Sequence, residues 1–185
     1  PPPPPPTPPP ASPTPPPHGS LTAAYAQRPF AYYPSLAFAQ PTFALQQTFD
    51  FAKQKLKEIG ELARKYNQRL TFHPGQYNVV GTPNQKAFQQ TCCDLKYHAD
   101  VLDLMEMGKD SVMVIHGGGV YDDIVATKER WIKNYNDLPE NVKNRLVLEN
   151  CEKNFSIQDW LDVSKNIGIP VVFYTHHYAC YKHFH

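Results

Sequence analysis

Four short apolar runs in this sequence stop on residues that bind metal ions. RLTFH ends on His73 and SVMVIH on His116. RLVLEN carries Glu149 one residue before its end, and IPVVFYTHH ends on His176 and His177. Imidazole nitrogen together with carboxylate oxygen is the donor set of zinc, manganese and iron sites. A single histidine at the end of a strand is ordinarily a hydrogen-bonded structural residue. Four runs that all end this way point instead to one shared ion.

For residues so far apart to meet, the segments between them must align the runs. Positions Leu45, Phe49, Ala52, Leu56, Ile59, Leu62 and Tyr66 step by three and four, which predicts an amphipathic helix over 42–66 with that stripe facing the core. Arg69–His73 reads as a strand, closed by Pro74 and Gly75. Thr82-Pro83 opens a second helix, with a capping residue and a proline at the first helical position. Its stripe is Phe88, Cys92, Leu95, Ala99, Leu102 and Met105, and Gly108 ends it. A nearly continuous apolar strand follows at 111–116, as expected where both faces are covered. A helix around 124–135, a polar segment LPENVKNR, a strand at 145–150, and a helix begun by Ser156 and Asp159 and stopped at Gly168 come next. The last strand is expected at 169–177. Strands separated by helices run parallel through right-handed crossovers, in an open doubly wound sheet or a (β/α) barrel. Their carboxyl ends share one face, and in a barrel they ring one pocket. Convergence of four strand ends favours the barrel.

Other chemistry-bearing residues have plainer readings. His98 lies beside a helical stripe and reads as a packed or surface histidine. Gly117-Gly118-Gly119 lacks both phosphate-loop patterns and reads as a tight turn. His183 and His185 alternate like strand residues at the end of the sequence. Trp131 and Trp160 read as core. Gln76 and Tyr77 sit on a loop just past a strand end, a polar and aromatic pair suited to stacking on a planar group at the pocket mouth.

The 185 residues suit one domain, but residues 1–17 hold most of the 20 prolines and cannot build a core. Residues 1–40 are expected to be a Pro-rich, disordered arm and 41–185 the folded domain. A net charge of +1 announces no overall basic field for nucleic acid, and no apolar run is long enough to span a membrane. The cysteines, Cys92, Cys93, Cys151 and Cys180, include no CxxC pair, which reads as reduced thiols in an intracellular protein of the cytoplasm, nucleus or nucleoid.

HPGQY at 73–77, YHADVLDLM at 97–105, IHGGGVYDD at 115–123, LVLEN at 146–150 and the paired histidines at 176–177 resemble the UV-damage endonuclease family, over about 49–181. The resemblance implies a TIM barrel with divalent ions, of the manganese type, at its top face. It implies a nick in duplex DNA 5′ to a photoproduct or abasic site. His73, His116, Glu149 and His177 would then be metal ligands, Glu149 and His177 the catalytic pair, and Gln76 and Tyr77 the residues pushed into the duplex at the lesion. Two departures stand out. Tyr174 occupies a position where the family's Phe-Asp-x-His-His motif has an aspartate ligand, and about half of the eight barrel strands are visible. The expectation is therefore a partial barrel, a fragment or aberrant product with little or no nuclease activity. Two other classes share some of these features. A metal-dependent TIM-barrel sugar isomerase or epimerase, or an apurinic endonuclease, also places His and Glu at strand ends. A non-catalytic protein would use its polyproline arm to dock in an SH3- or WW-type groove.

Overall fold

The structure, a computed structural model, describes residues 43–121 and 123–184. The Pro-rich tract, the rest of the expected arm to residue 40, and His185 lie outside these residues. Four parallel strand positions alternate with helices, about half of a TIM (β/α) barrel. The elements run α1 (Phe43–Lys65), α2 (Gln85–Leu104), β1 (Met113–Ile115), α3 (Ile124–Asn136), α4 (Glu140–Lys143), β2 (Leu146–Glu149), α5 (Ile157–Ile167), β3 (Val171–Val172) and α6 (Thr175–Phe184). The sheet order is β1-β2-β3, with Met113 opposite Leu146, Ile115 opposite Leu148, and Glu149 opposite Val172. Phe72 adds the fourth position. Its N–H donates to the Val112 carbonyl at 2.9 Å, and its carbonyl accepts from Val114 at 2.9 Å. No helix among the described residues is long and apolar enough to cross a membrane.

Local chemistry sets the helix ends. Asp123 accepts from the Ala126 amide at 2.6 Å at the start of α3. Ser156 and Asp159 form a reciprocal capping box at the start of α5, which Gly168 closes in the left-handed region (φ 74°). The cap of α2 is Asn84, not Thr82. Asn84 accepts from Ala87, while buried Thr82 turns its hydroxyl back to the Asn84 amide. The polar segment before β2 contains the short helix α4, made possible by Pro139 ahead of it.

Three further expectations are corrected. Ile59, Leu62 and Tyr66 do not face the core; they are 48%, 54% and 62% exposed. The inner face of α1 is Leu56, Gly60 and Ala63. Gly60 lies so close to α2's end that a Cβ there would sit 1.8 Å from the Met105 carbonyl oxygen. The first strand shrinks from Arg69–His73 to the single paired residue Phe72, which among the described residues pairs on one side only and is followed closely by Pro74. The last strand ends at Val172, and residues 175–184 are helical. The cause is Asn150. Its side-chain oxygen accepts from the Tyr174 amide at 2.5 Å and its amide donates to the Tyr174 carbonyl at 3.1 Å, so both ladder groups of Tyr174 are taken.

Trp131, Trp160, Phe155, Leu95, Leu102, Ile115 and Leu148 form the centre of the core, all fully buried. At the opposite end of the sheet from the carboxyl termini, Arg145 is almost completely buried and uses all its donors. They go to Asp103 twice and to the carbonyls of Met107, Gly108 and Ser111. Burial pushes the Asp103 carboxyl up, but hydrogen bonds from Asn141 and Arg145 and the Arg145 charge outweigh this and hold it below its usual value. Truncating Arg145 deprives the Met107 and Ser111 carbonyls of their donor, whereas the Gly108 carbonyl keeps the Ser111 amide and Asp103, 43% exposed, keeps Asn141. Arg145→Ala should therefore cost about 2–3 kcal/mol, read as a lower midpoint in urea unfolding; a loss under about 1 kcal/mol would contradict this account of the 105–111 turn.

Candidate metal centre

Parallel register brings three of the strand-end residues together. His73 follows the paired residue Phe72, His116 follows β1, and Glu149 is the last residue of β2. A ligand atom from each lies within 4.8 Å of the other two. Glu149 is 1% exposed, while the two histidines are reached from solvent. His73 Nε2 is 3.1 Å from Glu149 Oε2. His116 Nδ1 is 2.5 Å from Glu149 Oε1, yet the pair fails hydrogen-bond geometry, and Oε1 is buried without a hydrogen-bond partner. A buried carboxylate oxygen in that condition is costly, and a cation shared with the two imidazoles removes the cost. The donor set, two nitrogens and a carboxylate, fits a divalent transition metal.

His177 does not join this group of three. It sits in the first turn of α6, and its Nδ1 donates to the Asn150 carbonyl at 2.9 Å, with Glu152 at 4.0 Å. A carbonyl only accepts, so the proton is on Nδ1 and the neutral ring keeps its lone pair on Nε2. That is the tautomer a metal ligand needs. His176 pairs loosely with Cys180 on the same helix. Tyr174 lies with its ring 5.1 Å from that of His177.

Gln76 and Tyr77 form the tip of the loop after His73. Both are exposed, Tyr77 to 87%. Asn78 fixes the base of this tip by donating to the Gly75 carbonyl and, at 2.6 Å, to Asp94 of α2. His98 is packed edge-on against Phe72 and hydrogen-bonds the Asp94 carbonyl of its own helix, a packed histidine as its sequence position suggests. Gly117 is a close approach: a Cβ would lie 1.8 Å from the Trp160 ring. Asn150 is the residue that reading the sequence missed. It holds Tyr174 through its side chain and His177 through its carbonyl. Its only signal was its place beside Glu149 at a strand end.

The sequence profile of the family described as UV-endonuclease UvdE matches residues 32–185. The UV-damage endonuclease of Schizosaccharomyces pombe is 42% identical over 71% of this chain and 22% of its own length. The UV DNA damage endonuclease of Clostridium perfringens is 39% identical over 70% of this chain and 31% of its own. The crystal structure of SacUVDE superposes with a TM-score of 0.68 at 35% identity, over 71% of this chain and 45% of that one. The chain thus spans from 22% to 45% of the length of these relatives.

If an ion is what relieves Glu149, replacing the carboxylate by an amide has two opposite effects. Without metal, Glu149→Gln should unfold at or above the parent's midpoint, by up to about 1 kcal/mol, because an amide can donate to a neighbouring imidazole. With manganese added, the parent should gain thermal stability and the variant should not. Equal gains in both would remove Glu149 from the site.

Proposed function

Because this chain belongs to the UV-endonuclease UvdE family, we propose that its strand-end cluster is the metal site of a repair endonuclease that nicks duplex DNA 5′ to photoproducts or abasic sites. The observation that carries the reading is the convergence of His73, His116 and Glu149 around a buried carboxylate, one oxygen of which makes no hydrogen bond. Manganese suits a nitrogen and carboxylate donor set without thiolate. A divalent ion held there supplies Lewis acidity, which withdraws charge from a phosphate oxygen and eases deprotonation of the attacking water.

The chain's own residues have distinct tasks in this reading. His73, His116 and Glu149 hold the cation, and His177, outside that group of three, offers its Nε2 as a further ligand while Asn150 keeps the proton on Nδ1. Glu149 and His177 are the catalytic pair through these contacts. Gln76 and Tyr77 enter the duplex as a wedge. Unstacking costs a few kcal/mol and is cheapest where a base is damaged or missing, which gives selectivity for lesions without reading sequence. The substrate places the reaction inside the cell, wherever the DNA is.

Tyr174 bears on how active this chain is. A phenol, with an ordinary pKa near about 10, is a poor replacement for a carboxylate ligand. With its ring beside His177, an aspartate at this position would stand next to the proposed fourth ligand. The chain should accordingly nick a photodimer duplex slowly at best in manganese. Tyr174→Asp should raise manganese affinity roughly tenfold and nicking with it; unchanged metal content would refute the carboxylate reading. Tyr77→Ala should leave metal binding intact and reduce the preference for damaged over intact duplex by about tenfold, from a loss of roughly 1–3 kcal/mol of stacking. An unaltered preference in a competition assay would rule out the wedge.

A further inference from the structure

Among the described residues, Asn67, Glu106 and Tyr121 carry positive φ without being glycine (51°, 54° and 59°). Two of them close helices. Asn67 follows α1, where the Gln68 amide bonds to the Ala63 carbonyl. Glu106 follows α2, where the Met107 amide bonds to Leu102. A left-handed residue is ordinary in such caps. Tyr121 caps no helix, and a bulky side chain resists this conformation. Such residues persist where the surroundings over-determine them, and they gather at functional sites.

The surroundings here do over-determine it. The Gly117 carbonyl accepts from Trp131 Nε1 at 3.1 Å, the Gly118 carbonyl from Asn154 at 3.2 Å, and the Val120 carbonyl from the Thr127 hydroxyl. Tyr121 is 44% exposed, and the Arg130 guanidinium lies 5.7 Å from its ring centroid. Arg130 is itself fixed by the Gly81 carbonyl at 3.2 Å and the Thr127 hydroxyl at 2.8 Å. The segment leaves directly from His116. It also packs on the loop that carries Gln76 and Tyr77, since a Cβ on Gly118 would lie 2.4 Å from Val79. A loop with only a turn to make would use glycine or asparagine at this φ. Here a large aromatic is held on a hydrogen-bonded frame, backed by a fixed cation, five residues after the ligand His116.

We propose that Tyr121 is a second DNA-binding residue, stacking on a nucleobase of the strand that crosses the cluster, apart from the Tyr77 tip. The inference rests on the endonuclease reading of the site. Stacking on an aromatic face tolerates any sequence, as an enzyme selecting lesions requires, and the Arg130 charge keeps the ring in place from one side.

The test uses the full chain, its Tyr121→Gly and Tyr121→Phe variants, and a labelled duplex with an abasic-site analogue, followed by fluorescence anisotropy in chelator so that no strand is cut. Tyr121→Gly removes the backbone strain and should melt no lower than the parent, yet bind the duplex about tenfold more weakly. The slope of log affinity against log salt should not change, because no charge is lost. Tyr121→Phe keeps the ring and should bind within about twofold of the parent. Parental affinity in the glycine variant would overturn the inference and leave the metal-site reading standing. So would a glycine variant that melts well below the parent, since the ring would then be bracing the loop, or a weak-binding phenylalanine variant. A parent chain that binds manganese but no duplex would overturn this inference and the endonuclease reading together.

Discussion

Parallel alignment of strands is the constraint on which the rest of this structure depends. Helices between the strands force each one to run the same way, and the pairing of Phe72 with Met113, Ile115 with Leu148 and Glu149 with Val172 fixes how far each runs. A shift of one residue in β2 would turn Glu149 to the other side of the sheet. The apolar residues prevent this. All four residues of β2 are buried, so both of its faces are covered, and a slip would put the Glu149 carboxylate where Leu146 and Leu148 now pack among apolar side chains. The core thus positions the carboxylate.

The site then concentrates unfavourable electrostatics at the end of a well-packed sheet. Glu149 is buried with one oxygen unpartnered, and two imidazoles crowd it. The costs are local and are tolerated because the frame is rigid. Asn150 clasps Tyr174 and orients His177, Asn78 anchors the tip of the first loop, and Trp131 and Asn154 tie down the second. Each uses a side-chain amide or indole to satisfy a backbone group that a longer sheet would have satisfied with another strand. Short strands and side-chain clasps are what leave room for a pocket.

Much of this was legible in the sequence, and the reasons differ by element. The cluster could be read because a metal-ligating residue at a strand end is a departure from the apolar pattern, and His73, His116 and Glu149 each show it. The start of α5 was legible in Ser156 and Asp159, and its stop in Gly168. The inner face of α1 was not, because it is made by Gly60 and Ala63. Close backbone approach replaces bulk there, so the larger Ile59, Leu62 and Tyr66 misdirect a count of apolar residues. The helix at 175–184 was equally hidden. IPVVFYTHH has β-branched and aromatic residues throughout, and only the reach of Asn150 across to Tyr174 decides where the strand stops. Tyr121 looks like any loop tyrosine until its φ is known.

The most direct measurement of the central claim is the anomalous diffraction of a crystal of this chain grown with manganese. The account predicts one ion bound by His73 Nε2, His116 Nδ1 and a Glu149 oxygen together, each in direct coordination. Density for manganese elsewhere, or an ion that any one of these three side chains fails to reach, would contradict it.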